Sequence, residues 1–211
     1  FAMRSHHRAA AAIADGVFDD EVSPVEVQGN PIAVDGLVRA DTSMEKLERL
    51  RPVFARDGTL TAGNSSPLTD GAAAVMLMSE EKALALGLEP LARIVGFGVA
   101  GVKPQLMGLG PVPSTNKAMK YAGLTMDQID RVEFNEAFAA QIIPSARELG
   151  IPMEKLNVNG GALAIGHPLG ATGARLVLSL AHELRRSDGK YGLATQCIGA
   201  GMGITTVLES L

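Results

Sequence analysis

The chain has 211 residues, 46% of them hydrophobic and 20% charged, an ordinary balance for a globular domain with a sizeable core. Nineteen Lys and Arg against 23 Asp and Glu leave a formal charge of −4, which argues against a dedicated nucleic-acid surface, and no apolar run approaches the ~20 residues of a membrane span. One cysteine, Cys197, excludes an internal disulfide, and without a signal-peptide pattern the chain reads as intracellular.

The first predicted element is an Ala-rich helix from Phe1 to about Gly16. Phe1 already stands inside it, so the chain is expected to continue upstream. His6 and His7 point about 100° apart, cannot be two ligands on one helix face, and read as solvated. An acidic stretch, Val17 to Pro24, leads to a β-like run through Val27 and a turn at Gly29-Asn30-Pro31. Thr42-Ser-Met-Glu45 has capping-box spacing for a short helix, Glu45 to Leu50, with Glu45 four residues before Arg49. Turns at Arg51-Pro52 and Asp57-Gly58 complete a polar, irregular first third that suits a loop subdomain better than a core.

Thr61 to Gly71 is a loop of small hydroxyl residues; Asn64-Ser-Ser66 spells a glycosylation acceptor, which has no meaning in an intracellular chain. Ala72 to Met78 is apolar throughout and is predicted as a buried strand. A helix runs from Ser79 toward Leu86, stopped by Gly87, and a strand from Leu91 to Phe97. Gly96-Phe-Gly98-Val-Ala-Gly101 spells G-x-G-x-x-G, but Lys103-Pro104 follows where a dinucleotide site needs a helix, so it is a decoy. After a turn at Gly108 to Pro113 come a helix (Ser114 to Ala122), a second capping box (Thr125 to Gln128) and a strand (Arg131 to Phe134). A helix from Asn135 to about Gly150 follows, with Pro144 starting or kinking its second part. Then come a strand (Leu156 to Asn159), a helix (Thr172 to Arg186) and a closing strand pair (Tyr191 to Leu208). Leu176, Leu180 and Leu184 share one helix face, and Arg185 and Arg186 suit its C-terminal end. Alternating β and α elements imply a layered α/β domain, and the closing pair makes its sheet mixed.

Three stretches carry chemistry. Asn157 to Leu176 passes through five glycines and His167, with Pro168 biasing His167 toward extended geometry, a way to aim a base. Cys197 opens a turn containing Gly199, Gly201 and Gly203, whose backbone N–H groups are candidates to face a ligand oxygen. Asn135-Glu-Ala-Phe138 follows a strand. Cys197 stands at a strand end and not at a helix N-terminus, so it lacks the dipole that activates a nucleophilic thiol.

These stretches spell N-E-A-F, N-x-N-G-G-A-x-A-x-G-H-P-x-G and C-x-G-x-G-M-G, and together they resemble the thiolase family. Ala200, where many members have glycine, is the chief departure. The resemblance implies a layered thiolase-like α/β fold. Residues 1–66 would be the end of the inserted loop domain, 67–90 the last strand and helix of the N-terminal half, and 91–211 the complete C-terminal half. It also implies acyl transfer: cleavage of a 3-ketoacyl-CoA by CoA, or condensation of two acyl-CoA molecules. In that chemistry His167 activates a nucleophilic cysteine and Cys197 is the acid/base at the α-carbon. Gly199 N–H serves one oxyanion, while His167 and a water on Asn135 serve the other. Asn135, His167, Cys197 and Gly199 are thus expected around one small volume.

By the same resemblance Ser66, Met107 and Phe138 match positions near the pantetheine arm and acyl pocket, although Met107 and Phe138 also suit a core. Arg39, Arg49 and Arg51 are candidates for phosphate contacts, and Glu136 reads as structural. No metal or cofactor is implied beyond coenzyme A and acyl-CoA as substrates. Thiolases are commonly homodimers or tetramers, and the expected location is the cytoplasm, or mitochondria or peroxisomes in a eukaryote. The family's acyl-accepting cysteine lies upstream of everything present here, so the chain alone is expected to be inactive. A Cys-His thioester hydrolase using Cys197 and a non-catalytic acyl-CoA-binding fragment are the competing readings.

Overall fold

The computed structural model describes all 211 residues. In chain order its elements are α1 (Ala2–Ala14), a small hairpin of β1 (Val25–Val27) and β2 (Asn30–Ile32), α2 (Met44–Glu48), α3 (Glu80–Ala85), β3 (Ala92–Gly101) and α4 (Pro111–Ala122). There follow β4 (Arg131–Phe134), α5 (Ala139–Leu149), α6 (Ala162–Ile165), α7 (Thr172–Arg186), β5 (Tyr191–Ile198) and β6 (Met202–Ser210). The main sheet has the order β3-β6-β5-β4; β4 and β5 are parallel and the other pairs antiparallel. The sheet is mixed, as the closing strand pair implies.

Period-two alternation on β5 and β6 builds the layers. Leu193 and Val207 join Val112, Ala118 and Ile142 in a core under α4 and α5. Their neighbours Ala194 and Leu208 point the other way, into a cluster with Leu176, Leu180 and Leu184 of α7. Each leucine so buried contributes about 1.5–3 kcal/mol. The sheet is therefore covered on both faces, α4 and α5 on one and α7 on the other.

The glycines of the G-x-G-x-x-G stretch lie inside β3, which runs four residues past its expected end. A Cβ on Gly96 would stand 2.8 Å from the Ala118 carbonyl oxygen, and one on Gly98 would overlap the Ser114 carbonyl oxygen. These glycines admit the backbone of α4, not a phosphate. α4 starts at Pro111 instead of Ser114, because proline at the first helical turn needs no donor. A 3-10 turn, Pro104–Leu109, leads into it.

Several expected elements take other forms. α5 begins at Ala139, since Ser65 and Phe138 form an antiparallel bridge and the Ala139 N–H donates to the Asn64 carbonyl oxygen. Leu156–Asn159 does not extend as a strand: Leu156 makes a single parallel bridge with Val132, and beyond it the side chain of Asn157, at φ +46°, takes the place of the ladder. Its Oδ1 accepts from the Phe134 N–H (2.7 Å) and its Nδ2 donates to the Phe134 carbonyl oxygen (2.9 Å). The short helix α6 has no counterpart in the expected elements. The cap of α2 is Ser43, which accepts from the Lys46 N–H, one residue after the expected Thr42.

Ala72–Met78 forms no strand either. It has no neighbouring strand to supply hydrogen bonds, and Met76 and Leu77 are 81% and 68% exposed. With α7 and β6 it borders an open apolar groove of about 560 Å³, lined among others by Met76, Met78, Val177 and Leu208. The polar first third, in contrast, contributes to the core through α1. Ala9 is buried against Gly160, and His6 is buried with Nδ1 accepting from the Arg39 N–H (3.1 Å). His7 points away and its Nε2 meets the Thr42 carbonyl oxygen (3.0 Å). The solvated reading is therefore corrected for His6, which is buried, and holds for His7, whose ring is exposed.

Two opposite glycine substitutions check this packing by urea unfolding. Gly98→Ala should lower stability by about 1–3 kcal/mol, because α4 must shift. Ala200→Gly should raise it by up to about 1 kcal/mol, because Ala200 sits at φ +65°.

Candidate active site

β4 and β5 run parallel, and polar residues gather at their carboxyl ends, where ligand sites form in layered α/β domains. Asn135 follows β4 directly, and its N–H donates to the Thr195 carbonyl oxygen of β5 (2.9 Å). Cys197 stands two residues further along β5, paired with Gly203 of β6. The sheet register itself sets these two side chains at neighbouring strand ends.

The Asn135 side chain is fully buried, and its Nδ2 donates to His167 Nε2 (3.1 Å). The other ring nitrogen, Nδ1, lies 2.6 Å from Thr172 Oγ1 at the start of α7. The Thr172 hydroxyl donates to the Pro168 carbonyl oxygen (2.8 Å), so its oxygen is left to accept from the ring. His167 therefore carries its proton on Nδ1, and its Nε2 lone pair accepts from Asn135. Burial first, and the positive charge of Arg175 second, hold the imidazole below its ordinary pKa, so it is neutral at pH 7. The His167 N–H donates to Thr69 Oγ1 (3.2 Å), which ties the 61–71 loop to the histidine loop. Asn135 Oδ1 is buried and has no protein partner.

The Cys197 thiol is buried and donates to Gln141 Oε1 of α5 (3.4 Å), not to His167. Burial pushes its pKa up, against the pull of the Gln141 hydrogen bond and of its own backbone. It is a thiol at pH 7. Ala200 and Gly201, both at positive φ, close the turn after it. Gly199 is exposed there and its N–H has no protein acceptor. Gly203, however, is part of β6 and allows close approach of Gly110 instead.

The Ser66 N–H donates to the Ala137 carbonyl oxygen (2.9 Å), which brings Ser66 to the Asn135 loop. Phe138 is half-buried, its ring edge-on to Phe54 at 5.8 Å. Met107 is half-buried in the 3-10 turn, and the next residue, Gly108, packs on Gln141. Neither Met107 nor Phe138 is a core residue. Arg39 lines a cleft of about 290 Å³ with Lys46 and Ser65, whereas Arg49 is paired with Glu45 and Arg51 is exposed. Glu136 is buried and holds Ser5, Asn157 and the Leu163 N–H, the structural role read from its position. Thr69, Thr172 and Gln141 escaped the sequence reading. Thr172 alone carried a local signal, a hydroxyl five residues after His167 at a helix start. No group of three or more His, Cys, Asp or Glu side chains is placed to hold a metal ion.

Comparisons with known proteins give the family and the fold. Residues 1–81 match the thiolase N-terminal domain and residues 88–210 the thiolase C-terminal domain. The 3-ketoacyl-CoA thiolase of Bacillus subtilis is 52% identical over 222 residues, covering 99% of this chain and 57% of that protein. The acetyl-CoA acetyltransferase of Chromobacterium violaceum is 51% identical over 214 residues, covering 99% and 55%. The chain thus spans little more than half the length of these relatives. Human mitochondrial 3-ketoacyl-CoA thiolase in complex with CoA superposes with a TM-score of 0.94 at 45% identity, over 100% of this chain and 53% of that one. For the Bacillus anthracis acetyl-CoA acetyltransferase the TM-score is 0.96 at 46% identity, over 100% and 54%. With both domain matches, relatives at half identity and the layered fold in agreement, the chain belongs to the thiolase family.

Proposed function

We propose that these residues form the acid/base half of an acyl-CoA acyltransferase site. The intact enzyme cleaves a 3-ketoacyl-CoA with CoA, or runs the reverse condensation of two acyl-CoA molecules. The observation that carries the reading is the Asn135–His167 hydrogen bond beside the end of the strand that bears Cys197. Once the Asn135 amide releases it, the lone pair of the neutral His167 Nε2 accepts the proton of a nucleophilic thiol as that sulfur attacks a carbonyl carbon. The new Nε2–H, together with a water held by Asn135 Oδ1, then faces the thioester oxygen. Losing one such donor typically costs about 3–4 kcal/mol of transition-state stabilisation.

Cys197 moves the other proton. In cleavage it delivers its S–H proton to the α-carbon as the carbon–carbon bond breaks; in condensation its thiolate removes that proton. A thiol whose pKa is raised by burial keeps its proton until a carbanion needs it, which suits an acid/base better than a resting nucleophile. Gly199 N–H faces the oxygen of the enolate. Ser66, Met107 and Phe138 line the pantetheine and acyl path. With Cys197 in this role, no second thiol exists among the 211 residues to accept the acyl group. The proposal therefore places that thiol in a part of the intact enzyme outside these residues.

Three measurements test the reading. In the intact enzyme Cys197→Ser should lower turnover in both directions by roughly 10²–10⁴-fold, while acylation by acyl-CoA survives in part. Loss of acylation as complete as the loss of turnover would make Cys197 the nucleophile. The 211 residues alone should show no thiolysis of acetoacetyl-CoA. His167 should titrate by NMR with a midpoint below 6.5 and with Nδ1 protonated above it. Because that folded midpoint lies below the unfolded one, its contribution to stability is full above pH 6.5 and declines as the pH falls; a midpoint above 6.5 contradicts the assignment of His167 as a ready base.

A further inference from the structure

Beside the Cys197 thiol lies a buried amide that satisfies only half of its own valences. Gln141 is 5% exposed; its Oε1 accepts the thiol proton, and its Nε2 is buried without a hydrogen-bond partner. An amide NH₂ hidden from water and unpaired is costly, and here the unused donor stands on the side chain that already meets the sulfur. Packing keeps the side chain where it is. Gly108 leaves room for it, since a Cβ there would stand 3.1 Å from Gln141 Cβ, and Ser145 of the same helix donates to the Gly108 carbonyl oxygen (3.3 Å).

We propose that Gln141 is a positioning residue for Cys197 that serves both of its protonation states: Oε1 accepts from the thiol, and Nε2 donates to the thiolate. A half-turn about the terminal torsion of the side chain exchanges the two atoms without moving the rest of it. The inference rests on the acid/base role of Cys197 proposed above, and it names the group that makes the charged state of that sulfur accessible inside a buried site. No charged side chain does so. The influences on the thiol are burial, the Gln141 amide and its own backbone. β6 pairs Gly203 with Cys197, Gly108 of the 3-10 turn packs on Gln141, β4 leads to Asn135 and its partner His167, which is neutral at rest, and the charged residues of α5, Arg147 and Glu148, are exposed.

Cys197 is the only cysteine of the chain, so alkylation by iodoacetamide reads this sulfur alone. The test is the pH dependence of that rate in the 211-residue chain, compared with Gln141→Met, which keeps size and removes both polar atoms. The midpoint should move up by about one unit, a tenfold loss of thiolate at any pH below it. Gln141→Glu, which places a carboxylate beside the sulfur, should move it further in the same direction. An unchanged midpoint in a folded Gln141→Met variant overturns the proposal. Should the variants not fold, the unsubstituted protein decides: the Gln141 side-chain NH₂ resonances should shift with the Cys197 midpoint, and resonances that stay fixed through it overturn the proposal. Because no turnover is measured, failure here leaves the acyltransferase reading standing, whereas failure of that reading appears in the turnover and acylation of Cys197→Ser and in the His167 titration.

Discussion

A single buried carboxylate holds the histidine loop in place. Glu136, next to the catalytic candidate Asn135, accepts from Ser5 Oγ of α1, from Asn157 Nδ2 (2.7 Å) and from the Leu163 N–H of α6 (3.1 Å). Burial raises its pKa, and those same hydrogen bonds act in the opposite direction. A buried carboxylate persists only when such donors replace its water. Four distant stretches of chain are thereby bound to one point: α1, the end of β4, the Asn157 turn and the glycine run that leads to His167. Removing the carboxylate would leave buried donors unpaired at each of them.

Close approach of backbones is the second constraint. The α1 backbone lies on Gly160, α4 lies on Gly96 and Gly98, and the turn at Gly110 meets β6 at Gly203. Each contact excludes a Cβ, and the last sets a turn against Gly203, the cross-strand partner of Cys197. Glycines that look like a phosphate cradle or a row of free amides thus serve packing at most positions. Gly199 is the exception: it stays exposed at the hairpin turn.

The site keeps both of its titratable groups uncharged at rest. His167 is neutral because burial and Arg175 disfavour the imidazolium, and Thr172 selects which nitrogen keeps the proton. Cys197 is neutral because burial disfavours the thiolate. Groups held neutral in this way can take up or release a proton without first giving up a strong ion pair. The polar atoms around them have capacity to spare, Asn135 Oδ1 as an acceptor and Gln141 Nε2 as a donor.

The sequence by itself determined the class of fold, because the apolar periods of β4, β5, β6 and α7 leave few other ways to bury Leu176, Leu180, Leu184, Leu193 and Val207. It also pointed to Asn135, His167 and Cys197, because reactive residue types stood at strand ends and glycine turns in a spelling shared by a family. Tertiary structure decided what local pattern could not express. Ala72–Met78 has strand composition, yet a strand exists only where a neighbour supplies hydrogen bonds. Leu156–Asn159 looked extended, yet only Leu156 pairs with β4, and the Asn157 side chain takes over from there. His6 found a partner 33 residues away, and Thr69, Gln141 and Glu136 gained their roles from contacts spanning 98, 56 and 131 residues. Periodicity and spacing record which face of an element is buried; which polar atom meets which is set only when the layers close.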